Sequence, residues 1–168
     1  MRQSFDAGFF FDHLVTVFAP LRLLLIGVVS CAFLPGLRAG SLVRLESNLG
    51  TFEMELLESN APVTTANFLR YVSSSRYGGT IVHRSAPGFV VQAGGFALRS
   101  NRIVPVATFG TITNEPGVSN LRGTVAMAKL GGNPHSATSQ WFINLRDNSA
   151  NLDSQNGGFT VFARVFGD

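Results

Sequence analysis

The stretch IVHRSAPGFVVQAGGF, residues 81–96, constrains the chain more than any other. Two short runs of β-forming residues, 81–85 and 89–93, are joined by Ala86-Pro87-Gly88. Proline presets φ near the value that the first central position of a turn needs, and glycine accepts the positive φ of the second. The stretch therefore predicts a tight hairpin. Side chains alternate along a strand, so Val90 and Gln92 share a face. With Arg84 near the end of the first run, the hairpin gathers a guanidinium, an amide and the apolar Phe89 and Val90 into one patch. That patch contains no nucleophile and no set of metal ligands.

A second stretch, RGTVAMAKLGGNPHSATSQWFINL at residues 122–145, reads as strand, loop, strand. The strands are expected at 123–129 and 139–145, with Gly131-Gly132-Asn133-Pro134 between them. Three motifs stand out across the two stretches. They are HR-x4-F-V-x-Q (His83, Arg84, Phe89, Val90, Gln92), GTVAMAK (residues 123–129) and PHSATSQWFIN (residues 134–144). In this order they closely resemble the cyclophilin family of peptidyl-prolyl isomerases, in its bacterial branch. The similarity runs from about Leu42 to Val165. It implies a mainly all-β fold, an antiparallel eight-stranded β-barrel capped by helices. It also implies rotation about X–Pro peptide bonds as the activity, with no cofactor.

The remaining elements fit between these motifs. Residues 42–47 and 51–57 alternate around Asn48-Leu49-Gly50 and read as a hairpin, with Glu53 and Glu55 on the wet face. A helix opens at Ser59-Asn60-Ala61-Pro62, where Ser59 or Asn60 is placed to cap and Pro62 suits the first turn. Thr64, Phe68, Tyr71 and Val72 recur at helical spacing, and Ser73-Ser74-Ser75 ends the run. Residues 94–119 read as mostly loop, punctuated by glycine and proline; Glu115 within it is expected to hold the loop by hydrogen bonds rather than to catalyse. A polar loop carries Leu152, and 159–165 is the last strand.

Residues 1–39 form a separate segment, an export signal or a membrane anchor, and residues 40–168 the folded domain. Arg22 precedes the apolar run LLLIGVVSCAFLPGL, which is short for a membrane span. This places the protein in the periplasm or outside a bacterial cell, or at a membrane that it contacts through residues 14–37. The formal charge of +3 comes from scattered residues, with no run of Lys and Arg, so a nucleic-acid partner is not expected. Cys31, the single cysteine, lies in the N-terminal segment, which excludes a disulfide in the domain. The three histidines, His13, His83 and His135, are far apart in sequence, so no metal site is expected.

The resemblance also assigns roles. Arg84, Phe89 and Gln92 are the expected catalytic residues: Arg84 would hydrogen-bond the prolyl nitrogen in the twisted state, and Gln92 would orient Arg84. Val90, Phe142, Leu152 and Phe159 would line the substrate site, with Ala128 and Lys129 offering backbone groups to the residue before proline. Proline-containing polypeptides are the expected partners, bound by a monomer. A non-catalytic proline-peptide binding module or chaperone, a barrel kept only as a structural piece, and an inactive truncated fragment are the rival readings.

Several features depart from the family. Val82 and Val90 replace larger groups, and Phe159 stands where many relatives carry His or Tyr. The family continues past FxRV with another helix and a closing strand, whereas here Asp168 follows closely. That predicts an unpartnered edge on the first strand and lower stability than in longer relatives. Asn151 stands where a tryptophan is often found beside Leu152. Cyclosporin binding should accordingly be weak; isothermal titration showing nanomolar affinity would contradict this.

Overall fold

The computed structural model describes Val17, Phe18 and residues 40–166. Within them the chain runs β1 (Val17–Phe18), β2 (Leu42–Ser47), β3 (Gly50–Leu56), α1 (Pro62–Ser73), β4 (Arg84–Ala86), β5 (Val90–Ala93), β6 (Phe96–Arg99) and β7 (Arg102–Pro105). Then follow β8 (Thr124–Met127), β9 (Trp141–Asn144), α2 (Ser149–Leu152), a 3-10 turn (Gln155–Gly157) and β10 (Val161–Phe166). Eight of the strands form one sheet in the order β1-β2-β3-β10-β8-β9-β5-β4, each neighbour antiparallel. Among the described residues no ladder joins β4 back to the first strands, so the sheet curls without closing into a full barrel. The outer edge of β2, expected to stand alone, is met at Val43 and Leu42 by Val17 and Phe18. The rest of residues 1–39, on which the reading as signal or anchor falls, lies outside the described residues.

Strand alternation sorts side chains onto two faces. The inner face carries Val43, Met54, Leu56, Val125, Met127 and Trp141, all buried. Helix α1 lies across this face and drives Phe68 into it. The Phe68 ring stands 5.0 Å from Phe162 and 6.4 Å from Trp141. The outer face carries Val90, Ala126, Phe142 and Val161, which form a separate apolar cluster with Leu152. Between β4 and the β2–β3 turn an apolar cavity of about 380 Å³ opens onto the inner face, lined by Phe52, Val82, Val91, Ala93, Trp141 and Ile143 among others.

The hairpins follow from their turns. Phe89 N–H donates to the Ala86 carbonyl at 2.9 Å, with Pro87 and then Gly88 at φ +67° between them, the type II arrangement that Pro-Gly encodes. Residues 94–119 are mostly loop, as expected, but they also contain the β6–β7 hairpin. Its turn, Ser100-Asn101, has positive φ at both positions, at 47° and 59°, matching the twist of the flanking strands. Serine rarely adopts that conformation, so the pair carries little signal in sequence. The polar loop expected around Leu152 contains the short helix α2.

Helix α1 begins as expected at Pro62, but its cap differs. Ala61 occupies the cap position, and neither Ser59 nor Asn60 closes the helix end. Glu115 does so from 51 to 52 residues away. Its carboxylate accepts from Val63 N–H at 3.1 Å, Thr64 N–H at 2.8 Å and the Thr64 hydroxyl at 2.7 Å. An anionic acceptor at a helix N-terminus satisfies orphan donors and meets the positive end of the helix dipole. Glu115→Ala should therefore destabilise the fold by about 2 kcal/mol. Urea unfolding measures this, and a change below about 0.5 kcal/mol would show that the cap is dispensable.

Candidate functional site

The outer face of the sheet contains one continuous rung. Arg84 pairs with Gln92, Gln92 with Phe142, Phe142 with Ala126 and Ala126 with Val161. Directly paired residues in antiparallel strands point to the same side, and neighbouring strands lie about 4.8 Å apart. Arg84 and Phe142 are thus set two strands apart, roughly 10 Å along the rung, with Gln92 between them. The exposed Arg84 guanidinium donates through Nη1 to Gln92 Oε1 at 3.3 Å, and its central carbon lies 5.9 Å from the Phe89 ring centre. Phe142 meets Phe159 edge to face at 5.8 Å, and buried Leu152 packs in the same cluster with Val90. One end of the patch is cationic and wet; the other is apolar and walled.

Gln140, two residues before Phe142 and so on the same face, extends the polar end. Its Oε1 accepts from Gln92 Nε2 at 2.8 Å, which fixes the amide that Arg84 leans on. In sequence it is one residue of the motif PHSATSQWFIN, with no role of its own. Three further residues have no role assigned from the sequence. Asn144 donates to Asn120 Oδ1 and Thr124 Oγ1, and Asn148 donates to Asn144 Oδ1 and to the Phe89 carbonyl. Asn120 in turn donates to Asp153 Oδ1 and to the Phe159 carbonyl. This buried amide chain ties the Phe89 wall to the Phe159 wall. Partial desolvation pushes the Asp153 carboxyl up, but hydrogen bonds from Asn120 and Ser119 outweigh it and hold the group below its ordinary value.

Ala128 and Lys129 lie at the end of β8. The Ala128 N–H is already committed to the Gln140 carbonyl at 2.9 Å, which removes it from the backbone groups expected to face a ligand. The Lys129 side chain turns onto the opposite wall. Its Nζ donates to the Asn156 carbonyl at 2.9 Å and to the Gly158 carbonyl, and sits 4.8 Å from the Phe159 ring centre. Burial lowers its pKa from the ordinary lysine value. Arg84, Phe89, Gln92, Val90, Phe142, Leu152, Phe159, Ala128 and Lys129 are therefore all brought to one side of the sheet. Among the described residues no group of three His, Cys, Asp or Glu side chains is arranged to hold a metal ion.

The sheet thus carries a cationic end and an aromatic, apolar end on one side. Residues 42–167 match the family described as cyclophilin type peptidyl-prolyl cis-trans isomerase/CLD, and the chain belongs to that family, in its bacterial branch. It is 43% identical over 130 residues to a peptidyl-prolyl cis-trans isomerase of Acinetobacter baylyi, covering 76% of this chain and 67% of that protein. It is 45% identical over 127 residues to peptidyl-prolyl cis-trans isomerase A of Dickeya dadantii, covering 73% of this chain and 64% of that one. Isomerase B of Escherichia coli is 39% identical over 130 residues, 74% of this chain and 77% of the relative. Among solved structures, a cyclophilin type peptidyl-prolyl cis-trans isomerase of Cryptosporidium parvum superimposes with a TM-score of 0.60 at 26% identity, covering 76% of this chain and 78% of that one.

His83 borders the site beside Arg84 and stacks edge to face on Phe96 at 5.1 Å. Burial lowers its pKa from 6.5; the Gln140 amide and the Ile81 backbone pull the other way, and Arg84 adds to the lowering. The folded state therefore holds His83 neutral where the unfolded chain protonates it. Stability is full above pH 6.5 and falls as the pH drops from there towards the lowered folded value. Melting temperatures recorded from neutral pH downwards should show this decline, and His83→Gln should flatten it. An equal decline in that variant would assign the loss to other groups.

Proposed function

We propose that this chain accelerates cis–trans rotation about X–Pro bonds in polypeptides, with Arg84 stabilising the twisted state. The observation that carries this reading is the shared rung of Arg84, Gln92 and Phe142. Rotation about a peptide bond is opposed by about 18–20 kcal/mol, because the nitrogen lone pair is delocalised into the carbonyl. For X–Pro bonds both isomers are populated and exchange takes tens to hundreds of seconds. No covalent step is needed to speed it. The proline ring must be held while the bond turns, and the nitrogen must be favoured once its lone pair has left conjugation.

Phe142, with Phe89, Val90, Leu152 and Phe159 around it, offers the ring an apolar cleft. Arg84 donates to the pyramidal nitrogen, whose lone pair accepts a hydrogen bond only when the bond is twisted. The interaction thus grows towards the transition state, the condition for raising the rate rather than only the affinity. Gln92, held by Gln140, keeps the guanidinium fork aimed across the cleft. The Ala128 carbonyl and the Lys129 N–H take up the backbone of the preceding residue. The solved Cryptosporidium parvum relative has also been crystallised in the presence of the dipeptide Ala-Pro, which supports a proline-containing ligand for this class of site. With residues 1–39 as an export signal or anchor, the clients are exported polypeptides, served by a monomer.

A protease-coupled isomerisation assay on a short proline peptide tests this reading. Arg84→Ala should lower kcat/KM by about 100-fold, as for removal of a donor used in the transition state. Peptide binding, measured separately, should change far less. Full activity in Arg84→Ala would overturn the mechanism.

A further inference from the structure

Four arginines lie together away from the rung, and the proposed isomerase activity does not use them. The guanidinium carbons of Arg70 and Arg76 stand 3.8 and 3.5 Å from the centre of the Phe109 ring. Both charges sit over one aromatic side chain, closer to each other than the screening length of about 8 Å in physiological salt. Arg76 also donates to the Ala107 carbonyl at 2.6 Å. Two residues further on, the Gly78 carbonyl accepts from Arg99 Nη2 at 2.6 Å. Arg99 is paired directly with Arg102 across the β6–β7 turn.

Like charges placed directly opposite each other in a hairpin repel. Nothing in this group relieves the repulsion: among the described residues none of the four arginines forms an ion pair, and the ion pair the sheet does contain is Arg44 with Glu53. Arg70 and Arg76 are held by an aromatic ring, and Arg76 and Arg99 by neutral carbonyls. Arg70, Arg99 and Arg102 are exposed and Arg76 is half-buried, so their charge faces solvent uncompensated.

The cluster is connected to the site through the root of the hairpin. Val106 N–H donates to the Gly95 carbonyl at 2.9 Å, and Gly95 backs directly onto the Gln140 side chain. Each strand then runs four residues to the tip, about 13 Å at strand rise. An extended peptide covers that distance in about four residues.

We propose that Arg70, Arg76, Arg99 and Arg102 form a landing surface for acidic segments of proline-containing polypeptides. The preferred substrates then carry Asp or Glu about four to six residues from the proline. The inference rests on the isomerase reading for its substrate, and it is tested by a binding measurement that does not need turnover. Fluorescence anisotropy compares two labelled proline peptides, one extended by three aspartates and the other by three asparagines. In about 20 mM salt the acidic peptide should bind about tenfold more tightly, at the low end of electrostatic steering. The advantage should vanish in about 0.5 M salt. Arg99→Gln with Arg102→Gln lies at an exposed turn and gives up the Arg99 hydrogen bond to the Gly78 carbonyl, so an unchanged far-UV circular dichroism spectrum is its control; it should cancel most of the preference, and adding Arg70→Gln should leave only what Arg76 supplies.

Equal affinity for the two peptides would overturn the proposal, as would a preference undiminished in the triple variant. So would variants that lose binding to phosphatidylglycerol vesicles or single-stranded DNA while keeping the peptide preference. Turnover of an unextended neutral peptide, unchanged in these variants, is read separately. Its absence from the parent chain would count against the isomerase reading alone.

Discussion

The register of the antiparallel ladder is the constraint on which the site depends. Side chains repeat every two residues along a strand, so a slip of one position would turn a whole strand inside out. Here Arg84, Gln92, Phe142, Ala126 and Val161 share a rung on the outer face, while Ala93, Val125, Met127 and Trp141 fill the inner one. Burial of the inner set under Phe68 fixes which way each strand faces. The same burial leaves Arg84 and Phe142 on the opposite side, at a spacing that backbone hydrogen bonds set and side-chain flexibility does not. Core packing and site geometry are consequences of one pairing pattern.

Long-range polar contacts then fasten the loops to this sheet. Glu115 closes the start of α1, and Asn120, Asn144 and Asn148 link the Phe89 turn to the loop that carries Leu152 and Phe159. Buried amides of this kind cost stability when any partner is missing, so a fully connected chain of them selects one arrangement of the two walls. Lys129 joins the same loop from the other side through two backbone carbonyls. The loops that flank the Phe142 patch are therefore held by polar bonds, and its centre by the apolar outer cluster.

What was legible in the sequence is what short-range chemistry encodes. Pro87-Gly88 specified its turn, alternation specified β2 and β3, and Pro62 marked the start of α1. The antiparallel sheet and its capping helices followed from motifs in a known order. The contributions that were hidden depend on partners far along the chain. Nothing local to Glu115 says that it caps a helix 51 residues earlier, and neither Ser59 nor Asn60 betrays that it is passed over. The Ser100-Asn101 turn was missed because its backbone conformation is not one that serine advertises. Ala128 illustrates a subtler limit: the resemblance placed it at the site, but only coordinates reveal that its N–H is spent on Gln140.

The central claim is that a cation and an aromatic cleft on one sheet face act together on a single prolyl bond. Two-dimensional exchange NMR on an isotope-labelled proline peptide tests it most directly, because one experiment reports both turnover and contact. The account predicts cis–trans exchange cross-peaks that appear only when the protein is added. It also predicts intermolecular Overhauser effects from the proline ring to Phe89 and Phe142. Exchange accompanied by contacts to the inner-face cavity around Phe52 and Trp141, with none to Phe142, would contradict it.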